Sequence, residues 1–180
     1  MGGAGIESGT DELRVERVPP GPGRAAFVPL LLLADEAEEQ VNGYLQAGDL
    51  YVLRDSAAPG TPLGVTLTIP LGDEAGPGAV ELKAVAVDEA FHGRGLGKRM
   101  LALVLADLRA RGAMRAVVGT SNAGTGQIAF YQKAGFRLWR IERDFFTPER
   151  GYDPDSRENG IAHRDMVWMD ADLGGLGSGD

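Results

Sequence analysis

Cysteine is absent from the 180-residue chain, and histidine occurs only at His92 and His163. The absence of cysteine excludes disulfides, zinc–thiolate sites and a cysteine nucleophile, and with two histidines we expect no metal site. Basic residues are a minority, with 18 Lys and Arg against 26 Asp and Glu. Nucleic-acid-binding domains usually carry a basic surface, so we expect no nucleic-acid partner. An acidic surface favours a cationic substrate or serves only solubility.

Long hydrophobic runs are absent as well, since none approaches the roughly 20 apolar residues of a transmembrane helix. The N-terminus lacks the basic and apolar segments of a secretory signal. We therefore expect no membrane association and a cytoplasmic location. Both ends are glycine-rich and polar, which predicts a disordered tail over 1–11, one domain over 12–170 and a flexible tail over 171–180. The sequence leaves both a monomer and a homodimer open.

Strand and helix patterns alternate along the chain, which predicts an α/β or α+β fold with a mixed sheet. Segments rich in Val, Leu, Thr and aromatics predict strands at 13–18, 50–54, 63–69, 80–87, 115–120, 136–147 and 161–169. The segment 55–62, DSAAPGTP, predicts a turn. Helical spacing predicts one broken helix or two short ones over 27–47, and further helices over 94–111 and 126–133.

A glycine-rich turn joins the predicted strand 80–87 to the helix that follows it. Glycine lets backbone amides approach a ligand, and amides at a helix N-terminus attract phosphate. Arg94, Lys98 and Arg99 add positive charge there. A Walker A loop would need glycine at His92 and Ser or Thr at Arg99, and a dinucleotide fingerprint would need a third glycine at Lys98 or Met100. Both fail, which leaves another phosphate site or an ordinary turn.

Residues 92–97 resemble the Gln/Arg-x-x-Gly-x-Gly/Ala loop of the GNAT superfamily of N-acetyltransferases. Gly95 and Gly97 fill the small positions, and His92 replaces the usual Gln or Arg. A later stretch, TSNAGTGQIAFYQKAGFR, resembles the second GNAT motif, with matches at Tyr131, Lys133, Gly135 and Phe136. The resemblance covers about residues 80–138. It implies a bacterial member of undefined substrate, with a mostly antiparallel sheet of six to seven strands, helices on both faces, and acetyl-CoA as co-substrate.

The resemblance also implies which residues hold acetyl-CoA. Backbone amides of the glycine-rich turn would bind the diphosphate, and the preceding strand would pair with the pantetheine arm. Asn122 would be a pantetheine contact, although it lies two residues upstream of the family's asparagine. The implied cofactor-binding residues are Val85, Ala86, Val87, His92, Gly93, Arg94, Gly95, Leu96, Gly97, Lys98, Arg99, Asn122 and Tyr131.

Amide formation from a thioester requires a proton acceptor for the amine and a proton donor for the leaving thiolate. Tyr131 is the predicted acid, because a phenol stays protonated at neutral pH; the alternative is a core aromatic. Glu81 occupies the place of the proton-accepting glutamate in the histone acetyltransferase branch and is the predicted base. Otherwise it is an exposed strand residue. Glu142 and Asp144 are rival bases.

The C-terminal segment 141–169 combines acids with aromatics and is the predicted acceptor side. Four residues are predicted to bind the substrate: Glu142, Asp144, Phe145 and Glu158. Asp165, Phe146, Tyr152 and Trp168 are further candidates. Two core strands joined by a solvated acidic loop would produce the same pattern. The predicted function is acetyl transfer to a primary amine of a small molecule by direct attack. A protein Lys or N-terminal acetyltransferase and a non-catalytic acyl-CoA sensor remain alternatives.

Overall fold

A seven-stranded sheet forms the centre of the computed structural model, which describes residues 12–35, 38–72 and 75–174. The strand order is β1-β2-β3-β4-β5-β9-β6, and within these ranges every neighbouring pair is antiparallel except β4 and β5. This confirms the predicted mixed, mostly antiparallel sheet. The strands are β1 (Leu13–Val18), β2 (Asp49–Asp55), β3 (Ala58–Pro70), β4 (Ala79–Val87), β5 (Arg115–Ser121), β6 (Arg137–Glu142) and β9 (Met166–Asp172). A separate hairpin contains β7 (Arg157–Glu158) and β8 (Ile161–Ala162).

Helices cover both faces of the sheet, also as predicted. They are α1 (Val28–Leu31), α2 (Glu38–Tyr44), α3 (Leu96–Ala110) and α4 (Thr125–Lys133). Of the two alternatives predicted for residues 27–47, the structure has the two short helices, α1 and α2. Apolar side chains of α3 and α4 pack on one face, and those of α1 and α2 pack on the other, over β2–β4. We call these the α3/α4 face and the α1/α2 face.

Four strand boundaries differ clearly from the sequence prediction: the start of β3, the end of β6 and both ends of β9. β3 starts at Ala58, so the predicted turn over 55–62 shrinks to residues 56–57. The β2–β3 register shifts on both sides of Arg54, whose Nη1 donates to Pro59 O at 2.9 Å. These irregularities let the strand pair continue through a segment with two prolines.

The last two strands also differ. β6 ends at Glu142 instead of 147, and β9 starts at Met166 instead of 161, because residues 143–165 form a long connection that contains the β7–β8 hairpin. β9 continues to Asp172, which pairs with Arg115, and Leu173 is buried. Residues 171–174 therefore belong to the folded unit and not to the predicted tail. The rest of both predicted tails lies outside the described residues.

Arg24 is a fully buried side chain that sequence patterns did not single out. Its guanidinium donates five hydrogen bonds of 2.9–3.1 Å to the carbonyl oxygens of Val18, Leu45, Ala47 and Gly48. These carbonyls lie at the end of β1 and between α2 and β2. The single side chain therefore fixes α2 to the edge of the sheet.

Replacing Arg24 with methionine is expected to lower the free energy of unfolding by about 3–5 kcal/mol, because buried carbonyls would lose their donors. Urea denaturation measures this change. The exposed Arg14 on β1 is the matched control, and Arg14→Met should change the stability by no more than about 0.5 kcal/mol. A loss below about 1 kcal/mol at position 24 would contradict the assigned role.

Candidate active site

The sheet contains a gap between β4 and β5. Their parallel ladder consists of three pairs only: Ala79 with Arg115, Val80 with Ala116, and Glu81 with Val117. Both strands continue well beyond this ladder, to Val87 and to Ser121. In the described part of the chain, no strand pairs with residues 82–87 on the side of β5. The two strands therefore diverge after Glu81 and leave unpaired backbone along the gap.

Val85 and Val87 direct their backbone polar groups into this gap. Asp88 N donates to Leu63 O at 3.0 Å, and hydrogen-bonded pairs alternate along an antiparallel ladder. By this register Ala86 bonds to β3, while Val85 and Val87 face away from it. Of the three residues predicted to pair with a pantetheine arm, only Val85 and Val87 therefore have backbone groups that face the gap, and Ala86 does not. An extended chain carrying amides could add to β4 at these positions.

The glycine-rich turn leaves space at the start of α3. Gly93 and Gly95 have φ angles of +75° and +71°, and a Cβ added at either would have no atom within 4 Å. The left-handed backbone requires glycine there. Gly95 precedes Leu96 without a side-chain cap, so the first amides of α3 remain available to an anion. Arg94 and Lys98 are exposed beside them. The turn therefore fits a diphosphate group.

The two remaining motif residues of this turn have structural contacts. His92 Nε2 is hydrogen-bonded to Val87 O at 2.9 Å, which fastens the turn to the end of β4. A Cβ at Gly97 would lie 3.4 Å from the Phe130 ring, so the small residue lets α3 and α4 pack closely. His92, in place of the family's Gln or Arg, thus holds the loop in shape.

Tyr131 lies on α4, buried in the core of the α3/α4 face. Its ring packs edge-on against Phe130 and Phe136, with centroid distances of 5.1 and 5.7 Å. Burial raises the pKa of Tyr131 to about 12. Among the hydrogen bonds of the described residues, none involves its hydroxyl. The phenol is therefore protonated at neutral pH, and none of the described residues accepts its proton in a hydrogen bond.

Glu81 is the last β4 residue before the gap and lies on the α1/α2 face. Its side chain is 17% exposed, and its Oε1 is 3.9 Å from Lys83 Nζ. Lys83 Nζ is in turn 5.8 Å from the centre of the Tyr44 ring. Glu81 is thus neither a fully solvated strand residue nor a buried one. Its backbone ends the β4–β5 ladder beside the gap, and its side chain lines a cavity on the same face.

That cavity has a volume of about 260 Å³ and adjoins the end of the β4–β5 ladder. Its walls are the connection from β3 to β4 and the side chains of Glu81, Val117, Trp139, Arg140 and Trp168. We call it the acceptor cavity. A larger groove of about 490 Å³ lies between the end of α3 and the end of β9, and none of the predicted site residues lines it.

Trp168 forms the aromatic wall of the acceptor cavity. A Cβ added at Gly119 would approach its ring to 2.9 Å, so glycine on β5 makes room for the indole. Trp168 Nε1 donates to Glu142 Oε2 at 3.1 Å, and Glu142 Oε1 also lies 3.4 Å from Arg150 Nη1. Both Glu142 oxygens are therefore engaged, one by Trp168 and one by Arg150, whereas Glu81 has, among the described residues, only the longer 3.9 Å contact with Lys83.

Other predicted residues build the surrounding loop. Asn122 Oδ1 accepts from the amides of Arg164 and Asp165 at 2.9 Å, and its Nδ2 donates to Ala162 O at 3.1 Å. Through these bonds, Asn122 attaches the loop 162–165 to the end of β5. They engage both the oxygen and the nitrogen of the side-chain amide, so its position needs no cofactor contact to explain it. Asp165 Oδ1 accepts from Asp144 N, so Asp165 also acts within the loop.

Asp144 and Glu158 lie apart from the acceptor cavity lining. The Asp144 side chain is 76% exposed and lies 4.0 Å from Arg164 Nε. Glu158 belongs to the β7–β8 hairpin, whose tip residue Asn159 contacts Thr125 Oγ1 at the start of α4. The structure therefore does not bring Asp144, Glu158 and Glu81 together into one acidic pocket.

Phe145 belongs to an aromatic cluster with Phe146 and Tyr152, with ring-centroid distances of 4.8–6.1 Å. Tyr152 Oη donates to Gln40 Oε1 at 3.4 Å, which links the long connection to α2. The half-buried His163 extends this region, with its Nδ1 2.7 Å from Ser121 Oγ. The cluster therefore lies on the α1/α2 face, between α2 and the end of β5.

Sequence reasoning missed Trp139 and Arg140. Strict alternation along a strand places neighbours on opposite faces, but the β6–β9 register shifts between Leu138 and Arg140. Both side chains consequently line the acceptor cavity, with Arg140 Cζ 4.8 Å from the centre of the Trp139 ring. No sequence signal marks such a bulge.

No group of three or more His, Asp or Glu side chains in residues 12–35, 38–72 and 75–174 could hold a metal ion. Within the same ranges, no helix has the length and apolar character needed to cross a membrane.

Comparisons with known proteins agree with this geometry. Residues 24–136 match the model of the acetyltransferase (GNAT) family. The chain is 38% identical over 145 residues to the uncharacterised N-acetyltransferase YvbK of Bacillus subtilis, covering 80% of this chain and 87% of that protein.

Solved structures with bound CoA species are similar too. An acetyltransferase of Bacillus subtilis in complex with CoA has a TM-score of 0.76 and 34% identity, covering 89% of this chain and 99% of that one. A GNAT family acetyltransferase of Elizabethkingia anophelis with acetyl-CoA bound has a TM-score of 0.74 and 31% identity, covering 90% and 99%. The family model matches more than half of the chain, and the relatives at 31–38% identity are covered over most of their length. They show that the chain belongs to the GNAT family and is a bacterial N-acetyltransferase that uses acetyl-CoA.

Proposed function

We propose that the protein transfers an acetyl group from acetyl-CoA to the primary amine of a small molecule bound in the acceptor cavity. One observation carries the proposal: Glu81 both ends the β4–β5 ladder and lines the cavity. A thioester that follows the gap along β4 would therefore meet the cavity at a carboxylate. The diphosphate would lie on the amides of Gly93–Gly97, with Arg94 and Lys98 beside it.

The proposed reaction needs no covalent enzyme intermediate. The neutral amine attacks the thioester carbonyl, a C–N bond forms and the C–S bond breaks. Glu81 accepts the proton of the attacking amine, directly or through one water. Tyr131 donates its phenolic proton to the leaving thiolate and recovers it from solvent. Alignment of the two substrates contributes much of the remaining acceleration.

The size of the acceptor cavity favours a small acceptor over a polypeptide. A volume of about 260 Å³ suits a compact amine, whereas a protein substrate needs an open groove with extended contacts. The cavity offers aromatic surface from Trp139 and Trp168 together with the Glu81 carboxylate, a combination suited to an amine with an apolar body.

An acceptor panel tests the proposal. Release of free CoA thiol is measured with aliphatic, aromatic and polyamine acceptors, and with peptides that carry a free N-terminus or lysine. We expect turnover with at least one small amine at a kcat/KM at least about tenfold above that of any peptide. Preferred turnover of peptides would favour the protein acetyltransferase. Acetyl-CoA binding without turnover of any acceptor would favour the sensor.

Glu81→Gln is expected to lower kcat/KM by about tenfold or more at neutral pH, because it removes the proton acceptor and leaves the side-chain shape intact. The loss should shrink at higher pH, where more of the amine is already neutral. Steady-state kinetics across the pH range measure both effects. Glu142→Gln is the matched comparison. Because Glu142 also positions Trp168, only a larger loss that likewise shrinks at higher pH would transfer the base role to Glu142.

A further inference from the structure

The strand β6 is an edge of the sheet with exposed apolar side chains. Leu138, Trp139 and Ile141 are 59%, 40% and 64% exposed. The opposite edge, β1, instead presents the charged residues Arg14, Glu16 and Arg17 to solvent. Charged edges resist pairing with another chain, whereas an apolar edge strand invites it. The contrast between the two edges indicates that β6 is an interaction surface.

The β6 sequence is complementary to itself in the antiparallel direction. Its residues run Arg137, Leu138, Trp139, Arg140, Ile141, Glu142. A twofold axis between Trp139 and Arg140 places Arg137 opposite Glu142 of a second copy. The same axis places Leu138 opposite Ile141, and Trp139 opposite Arg140. These three pairs are ionic, apolar and cation–π, and each occurs twice across the axis.

The bulge in β6 makes this register compatible with the faces of the sheet. Opposite residues in an antiparallel pair must point to the same face. In a regular strand, Arg137 and Glu142 would point to opposite faces. The extra residue at Trp139 changes this, because Arg137, Arg140 and Glu142 then pair with Asp170, Trp168 and Met166 on the α1/α2 face.

The remaining β6 residues fit the same symmetry. Leu138 and Ile141 pair with Met169 and Val167, whose side chains are buried in the core of the α3/α4 face. Trp139 shares the α1/α2 face with Arg140, since both line the acceptor cavity. The order of faces along β6 is consequently identical in both directions.

We propose that two copies of the chain associate through their β6 edges, in this antiparallel register, to form one continuous sheet across a homodimer. The inference rests on the β6 edge and not on which acceptor binds, although Trp139 and Arg140 also line the acceptor cavity. Stable interfaces usually bury about 1,200–2,000 Å² in total, more than one short strand pair provides. The dimer should therefore dissociate on dilution.

Sedimentation velocity over a wide range of protein concentration tests the proposal. The full chain should shift from monomer to dimer as the concentration rises. Ile141→Lys should raise the dissociation constant at least about tenfold, because it removes the apolar pair and adds a charge at the edge. Leu33→Lys is the control, since Leu33 is 47% exposed on the turn after α1 and lies away from β6. It should leave the dissociation constant unchanged.

Charge reversal tests the register itself. Arg137→Glu and Glu142→Arg should each weaken self-association, because each creates like charges across the axis. An equimolar mixture of the two variants should form a heterodimer in which both ionic pairs are restored. If Glu142→Arg fails to fold for loss of its Trp168 bond, Arg137→Glu and Ile141→Lys still decide. A monomer at every concentration, or a dimer insensitive to both variants, would overturn the proposal.

Discussion

Gly95→Glu is expected to weaken acetyl-CoA binding by at least about 100-fold, because a carboxylate would fill the space proposed for the diphosphate. The position has a left-handed φ of +71°, and an added Cβ would have no atom within 4 Å. The substitution therefore strains the backbone without a clash. A negative charge at a helix N-terminus favours the helix itself by about 0.3–1 kcal/mol. Isothermal titration with acetyl-CoA measures the affinity.

Gly112→Glu is the matched control at the other end of α3. Gly112 has a φ of +91° and also has no atom within 4 Å of an added Cβ. Backbone strain is therefore similar, but the residue is remote from the turn at 92–95. We expect unchanged affinity for acetyl-CoA and a somewhat larger loss of thermal stability than in Gly95→Glu, because a carboxylate is unfavourable near the C-terminus of a helix. Equal affinities in Gly95→Glu and the wild type would contradict the placement of the diphosphate.

Tyr131→Phe is expected to lower kcat about 100-fold or more, because it removes the proton donor for the leaving thiolate. Phenylalanine preserves the edge-on contacts with Phe130 and Phe136. The hydroxyl makes no hydrogen bond within the described residues, so the stability should change by less than about 0.5 kcal/mol. Stopped-flow kinetics with the best acceptor measure kcat, and titration shows whether acetyl-CoA affinity is retained.

Tyr51→Phe is the matched control, in which we expect a loss of stability without a loss of kcat. The Tyr51 hydroxyl donates to Asp107 Oδ2 at 2.8 Å and accepts from Arg111 Nη1 at 3.0 Å, near the C-terminal end of α3. Its removal should cost about 1–2 kcal/mol of stability and leave kcat unchanged. A Tyr131→Phe variant with wild-type kcat would remove that phenol from the mechanism.

The pH dependence follows from the environment of Tyr131. Burial raises its pKa to about 12, above the ordinary value near 10. The acid therefore stays protonated, and active, throughout the alkaline range in which the amine becomes neutral. We expect kcat to show no decline attributable to the acid below about pH 11. A decline centred near pH 10 would indicate a solvent-exposed phenol or a different donor.

Local sequence features predicted much of the fold. The apolar stripe of α3 and the short strands depend on residues close together in the chain, and the structure confirms those elements. Boundaries failed where irregular pairing intervened. β3 continues through two prolines because of register shifts, and β9 extends beyond residue 170 because Asp172 and Leu173 meet the start of β5.

The composition of the acceptor cavity could be predicted only in part. Glu81 and Trp168 were singled out from the sequence, whereas Trp139 and Arg140 line the cavity through a bulge that no local pattern reveals. Asp144 and Glu158 have the right chemistry but lie elsewhere. The presence of acidic residues does not specify where their side chains point, because those of a long connection can face solvent or bond to the backbone of the same loop.

The sequence by itself determined the family motifs, the alternation of helices and strands, and the left-handed glycines before α3, because each depends on the conformational preferences of a few adjacent residues. The tertiary structure decided where β4 and β5 separate, which faces of β6 its side chains occupy, and that Arg24 joins three segments. These features depend on how distant strands pair and on which backbone groups remain without partners, and such pairing is a property of the assembled sheet.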